Sequence, residues 1–231
     1  MEDEQARDEL RARQGVGARY DAETAPVTEL VWARRGTAYL ARKLNELADD
    51  DLDQLGRGGV SRRIVIARIA YQARALAQML EGLRTHVEKP MPGASGVFDS
   101  ELVDARTLPA HALRYLFAHS EIHLNVEWRD LPDEGWSNIL RHVSGWAFTP
   151  ADTVLLRART VWGGALALGN GARIADVPAD LTAALAQQAG RYWQAQGLSV
   201  DLPRLPADLA RGLLGAQLQG AAELPPLPEF L

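Results

Sequence analysis

The chain has no cysteine at all. That excludes disulfides, thiolate metal sites and a cysteine nucleophile, and it suits a reducing compartment. It also lacks any apolar run approaching the ~18 residues that a membrane span needs. Charge of neither sign dominates: the formal net charge is −5, far from the profile of a nucleic-acid binder. No Gly-rich phosphate loop, Gly-x-Ser-x-Gly elbow or Walker signature occurs, so nucleotide and esterase chemistry have no support. Strand signals are few and no internal repeat is visible. The opening residues Met1-Glu2-Asp3-Glu4-Gln5 are acidic and polar, which argues against a signal or transit peptide and for a cytoplasmic protein.

What the chain does have is length for a sizeable core, with 231 residues of which 47% are hydrophobic and 24% charged. Helical patterning is its main signal. A first helix is expected over 24–48, with Pro26 near its start and Leu30, Ala33, Ala38, Leu40, Leu44 and Leu47 in an apolar rhythm. Gly56, Gly58 and Gly59 break the chain, and Ser61 reads as the N-cap of a second helix running to about residue 85. Its apolar residues Val65, Ile66, Ile69, Ala73, Leu76, Leu80 and Leu83 recur at intervals of three and four. A third helix is expected from about 109 to 130, with Leu113, Leu116, Phe117, Leu124 and Trp128 inward. Residues 132–149 are turn-rich with room for two short strands. A fourth helix covers about 151–168 and stops at Gly169-Asn170-Gly171.

Four long helices argue for an all-α four-helix bundle over residues 20–177. A charged arm, 1–19, precedes it. The segment 178–231 is too short for a robust domain of its own and is expected to pack on the bundle. It offers a helix near 179–196, a strand candidate at 198–202, a helix near 206–219 and a proline-rich tail at 224–230.

Several motifs then carry a resemblance. They are Gly59-Val60-Ser61-Arg62-Arg63-Ile64-Val65-Ile66-Ala67-Arg68, Val87-Glu88-Lys89-Pro90-Met91, Leu131-Pro132-Asp133-Glu134-Gly135-Trp136, Arg157-Ala158-Arg159-Thr160-Val161-Trp162 and Asp176-Val177-Pro178-Ala179-Asp180-Leu181. In this order and spacing the chain resembles the maleylpyruvate isomerase family, thiol-dependent enzymes with a DinB-like four-helix bundle. The C-terminal segment is similar to a reduced form of the small α/β, sterol-carrier-like domain that members often carry. The resemblance implies a divalent metal, typically zinc, held by a His on the second helix and a Glu-x-x-x-His pair on the fourth. Residues i and i+4 share a helix face, which lets two side chains converge on one ion. Carried over, those positions are Arg68, Thr160 and Gly164, none of them an ordinary ligand. Ile64 and Gln72 stand where relatives often have further histidines.

The expected site follows from that pattern. Arg68 should point into the bundle, where a buried guanidinium needs an anionic partner. It either replaces the metal's charge and anchors a substrate carboxylate or enolate, or it forms a structural salt bridge, or it swings to the surface. Thr160 donates to a ligand or to the carbonyl one turn back. Gly163 and Gly164, each costing roughly 1 kcal/mol against Ala in mid-helix, reflect close packing, space for a ligand, or drift. Arg62, Arg63, Arg157 and Arg159 form a basic rim around substrate, or pair with neighbouring acids. His119 and His123, four apart on the third helix, read either as a relocated metal pair or as a partly buried, hydrogen-bonded pair. His86, His111 and His142 read as solvated, and the six tryptophans as core.

Two functions of different class remain. One is a thiol-dependent cis-trans isomerase or related transferase acting on a small unsaturated acid or thiol conjugate, with Arg68 and Thr160 in catalysis and Arg62, Arg63, Gln72, Arg159 and Gly164 at the substrate. The other is a non-catalytic protein of the same fold that binds a small ligand or a partner. Either reading requires no resident cofactor and leaves a low-molecular-weight thiol as a candidate. Both make the partners small molecules rather than nucleic acid or membrane, and the protein a monomer or homodimer.

Overall fold

The helices sit where their punctuation puts them. The computed structural model describes residues 20–87, 102–141, 147–195 and 197. In it α1 spans Val27–Asn45, α2 Arg62–Thr85, α3 Ala110–Asp130, α4 Pro150–Leu168 and α5 Ala179–Ala195. The arm at 1–19, the strand at 198–202, the helix near 206–219, the proline-rich tail, His142 and Trp146 lie outside the described residues, as does most of the motif at 87–91.

Pro26 and Pro109 stand immediately before α1 and α3, where a missing N–H costs nothing. The Ser61 hydroxyl accepts from the Ile64 amide at the start of α2. Thr149 and Asp152 form a reciprocal capping box at the start of α4, ahead of Pro150. Gly169 ends α4 with φ 70°, a left-handed conformation that glycine adopts at little cost. His86 closes α2 in the same region with φ 56°.

α1 packs chiefly against α4 and α2 chiefly against α3, and α2 also meets α4. The α1–α4 seam is tight because Gly36 faces Val161 and Trp162, whose atoms would lie within 2.8 Å of an added Cβ. Tyr39 stacks on Trp162, with ring centroids 5.0 Å apart. The Trp162 indole N–H donates to the Trp32 carbonyl at 3.1 Å. One apolar core runs through the bundle and includes Leu181, Leu185, Ala189 and Trp193 of α5. Trp32 fastens α5 further by donating to the Asp180 carboxylate at 3.0 Å. The expected inward face of α1 needs one change: Ala38 is exposed and Gly36 is buried in its place. Leu116 of α3 is only half-buried.

The loop before α2 docks on the end of α4. The Arg57 amide donates to the Ala167 carbonyl at 2.8 Å, and Arg62 Nε to the Leu168 carbonyl at 2.8 Å. These bonds satisfy carbonyls that a helix C-terminus leaves open. An added Cβ on Gly56 would sit 2.2 Å from the Ala167 oxygen, so only glycine permits this approach. The turn-rich segment after α3 holds a two-stranded antiparallel ladder, β1 Leu140–Arg141 with β2 Ala147–Phe148. No helix among the described residues is long and apolar enough to cross a membrane.

Candidate functional site

A polar network crosses the middle of the bundle, and all four long helices contribute to it. Its hub is Arg157 on α4, which is fully buried. Arg157 Nη1 donates to the Ile69 carbonyl at 2.7 Å and to Gln72 Oε1 at 2.8 Å, both on α2. Nη2 is paired with the Glu121 carboxylate of α3. The other Glu121 oxygen accepts from the Thr37 hydroxyl of α1 at 3.1 Å. Gln72 passes the network on, its amide N–H donating to Thr160 Oγ1 at 2.9 Å. Thr160 in turn donates to the Leu156 carbonyl at 3.0 Å, one turn back. Arg157 Nε is buried without a partner among the described residues. Burial pulls the Arg157 guanidinium down from its usual range to about 9.

The residues singled out from sequence divide around this network. Gln72 and Thr160 join it. Arg68 does not point inward: it takes the surface alternative of its reading, is exposed, and has no partner among the described residues. It shares one edge of α2 with the half-buried Gln72, one turn on. The buried guanidinium is that of Arg157, which takes the second of its two readings and pairs with an acid on a neighbouring helix rather than lining a rim. Gly164 does not open onto ligand space. Ile69 Cδ1 fills the position, 2.2 Å from where a Cβ on Gly164 would be, which is the close-packing alternative.

The basic rim is largely taken up by structure. Arg62 holds the α4 terminus and also donates to the Asp51 carbonyl. Arg63 is buried, pairs with Asp53 at 2.7 Å and donates to the Leu108 carbonyl. The Asp53 carboxylate holds the Arg63 pKa above its usual value, and Arg63 lowers that of Asp53 in return. Arg159 is half-buried.

His119 is exposed and stacks on Tyr115, with centroids 5.7 Å apart, while the His123 ring lies tilted to it at 6.5 Å. His123 Nε2 lies 3.5 Å from the Glu127 carboxylate, which Arg84 also holds by two hydrogen bonds. The described residues contain no cluster of three or more ligating side chains, so the relocated-metal reading of this pair finds no third ligand. His86 and His111 are exposed, as expected. Trp32, Trp128, Trp136, Trp162 and Trp193 are core.

Glu121 and Thr37 were not foreseen, yet Glu121 carried a signal. It sits on the same α3 stripe as Leu113, Phe117, Leu124 and Trp128, as Arg157 sits on the α4 stripe with Val154, Ala158, Val161 and Ala165. Opposite charges on two apolar stripes indicate an internal ion pair.

Two solved structures resemble the chain: the mycothiol-dependent maleylpyruvate isomerase and a mutant of the same enzyme. Each is 30% identical, covers 74% of this chain and 72% of its own, and superposes with a TM-score of 0.69. No family model matches the chain. No curated protein matches it either.

Proposed function

The chain belongs to the maleylpyruvate isomerase family, and from that premise we propose that it is a metal-free member which binds a small carboxylate or thiol conjugate without isomerising it. The observation that carries this reading is the packing at Gly164. The family pattern asks for an imidazole there, and the side chain of Ile69 occupies the space. The donor chemistry agrees. Arg68 brings a cation, Gly164 brings nothing, and the Thr160 hydroxyl is committed to Gln72 and the Leu156 carbonyl. Such a set does not fit a divalent ion, which takes neutral imidazole, thiolate or carboxylate. Without a metal or other activator, a thiol stays largely protonated at neutral pH and is a poor nucleophile.

In this reading Arg68 is the anchor. Its guanidinium is exposed, lacks an internal acid and lies one turn from Gln72, where a ligand carboxylate can accept two parallel hydrogen bonds. Arg159 extends the positive edge of α4. The Arg157–Glu121 network serves as the rigid floor that holds Gln72 and Thr160 in place.

Metal analysis of the purified protein, with an assay of maleylpyruvate isomerisation in the presence of mycothiol, tests the proposal. The expected result is no stoichiometric zinc and no isomerisation, with saturable binding of maleate that Arg68→Gln weakens. One equivalent of zinc, or thiol-dependent isomerisation, returns the chain to the catalytic reading as an isomerase or related transferase.

A further inference from the structure

A second hollow lies between α2 and α3. It measures about 370 Å³ and is lined by Arg74, Gln78, Leu116, His119, Ser120 and His123. Arg74 and Arg68 are six residues apart on α2, so at ~100° per residue they point to different sides of the helix. The hollow is therefore separate from the Arg68 edge.

Its chemistry is one-sided. The lining holds one guanidinium and two imidazoles and no carboxylate. Of the acids nearest in sequence, Glu121 is paired with Arg157, Glu127 is held by Arg84 while also lying 3.5 Å from His123, and Glu81 is likewise engaged. Arg74, Gln78 and Ser120 make no side-chain hydrogen bond among the described residues. Ser120 is only 2% exposed, Gln78 is half-buried and Arg74 is exposed, and none of their polar atoms is both fully buried and without a partner. The three converge as donors on a hollow open to solvent, where a ligand acceptor would replace water. The rest of the wall is apolar or aromatic. Leu116 forms part of it, and the His119 ring is held flat against Tyr115, with 10° between the planes.

We propose that this hollow is a second binding site, for a small organic acid with an apolar or aromatic body. Its carboxylate sits on Arg74 and takes hydrogen bonds from Gln78 and Ser120. Its body lies on Leu116 and against the His119 ring. The volume is within the range of small-molecule sites, and a few convergent polar groups on an otherwise apolar wall are their usual composition.

The test follows the ring signals of His119 and His123 by NMR in the full chain, during titration with benzoate, acetate and inorganic phosphate. Benzoate is expected to shift both rings along a saturating curve. Arg74→Gln should weaken that binding about tenfold or more, the loss of a charged hydrogen-bonded pair, while Arg74→Lys should retain part of it. Arg68→Gln should leave it unchanged, which separates this site from the one proposed above. Shifts that rise linearly without saturating, or that saturate equally in Arg74→Gln, would overturn the proposal. So would binding lost in Arg68→Gln alone. Phosphate or acetate binding as tightly as benzoate would overturn the assignment to an organic acid with an apolar body.

Discussion

The centre of the bundle and the hollow between α2 and α3 are both polar regions, and they differ in where their hydrogen bonds end. At the centre, the two Nη groups of Arg157 end on a carboxylate, an amide and a main-chain carbonyl, and Nε alone is left over. In the hollow, Arg74, Gln78 and Ser120 end on nothing else in the described protein. A charge that the fold has answered is structure. A charge left open where a hollow meets solvent is a place for a ligand. Residue type alone does not separate the two, since each region is built around an arginine.

The comparison breaks most visibly at its buried end. Arg157→Met strands the Glu121 carboxylate and should cost about 3–5 kcal/mol by denaturant unfolding. Adding Glu121→Leu should recover most of the loss. A double mutant as unstable as the single one would mean that the pair does more than satisfy itself.

Gly164→Ala should come next. Its Cβ meets Ile69 at 2.2 Å. Overpacking of that kind costs about 1–3 kcal/mol, against which helix propensity returns about 1 kcal/mol. Combining it with Ile69→Val should restore stability, and failure to do so would put the strain elsewhere.

The Tyr39–Asp176 bond, at 2.7 Å, comes after these in size. Burial first, and then the Asp176 hydrogen bond, raise Tyr39 to about 12, while the same hydrogen bond leads in lowering Asp176 to about 2. The raised phenol loses its contribution as pH climbs from its ordinary value of 10 through 12, and the lowered carboxyl as pH falls from 3.8 through 2. The stability difference between the protein and Tyr39→Phe should therefore be flat between those ranges and shrink at both ends. A slope near neutral pH would contradict it.

The smallest effect belongs to the open end. Arg74→Gln breaks no internal bond and should change stability by less than about 0.5 kcal/mol in the absence of ligand. A larger loss would show that Arg74 is already answered within the protein.

The helices were legible because their ends are written locally. Pro26, Ser61, Pro109, Pro150 and Gly169 each act within one turn, and the observed bounds fall within about three residues of those read from the sequence. The site was less legible because its partners are remote. Arg157 meets Glu121 across 36 residues and Gln72 across 85. A stripe position marks such a residue as internal without saying what answers it. Arg68 was open in another way. Its place in the family motif suggested an inward direction, and only the packed helices decide for the surface alternative.

The pairing of α1 with α4 also sets an order of events during synthesis. Trp32 and Trp162 are 130 residues apart, and Arg57 reaches Ala167 across a similar span. α2 can find α3 as soon as the chain has passed residue 130, because their contacts close a short loop. The apolar face of α1, with Leu30, Ala33 and Leu40, has no main partner until α4 has been made. On the ribosome the first of the described helices to emerge thus waits for the fourth to be covered, which leaves α1 open meanwhile to aggregation or to capture by a chaperone.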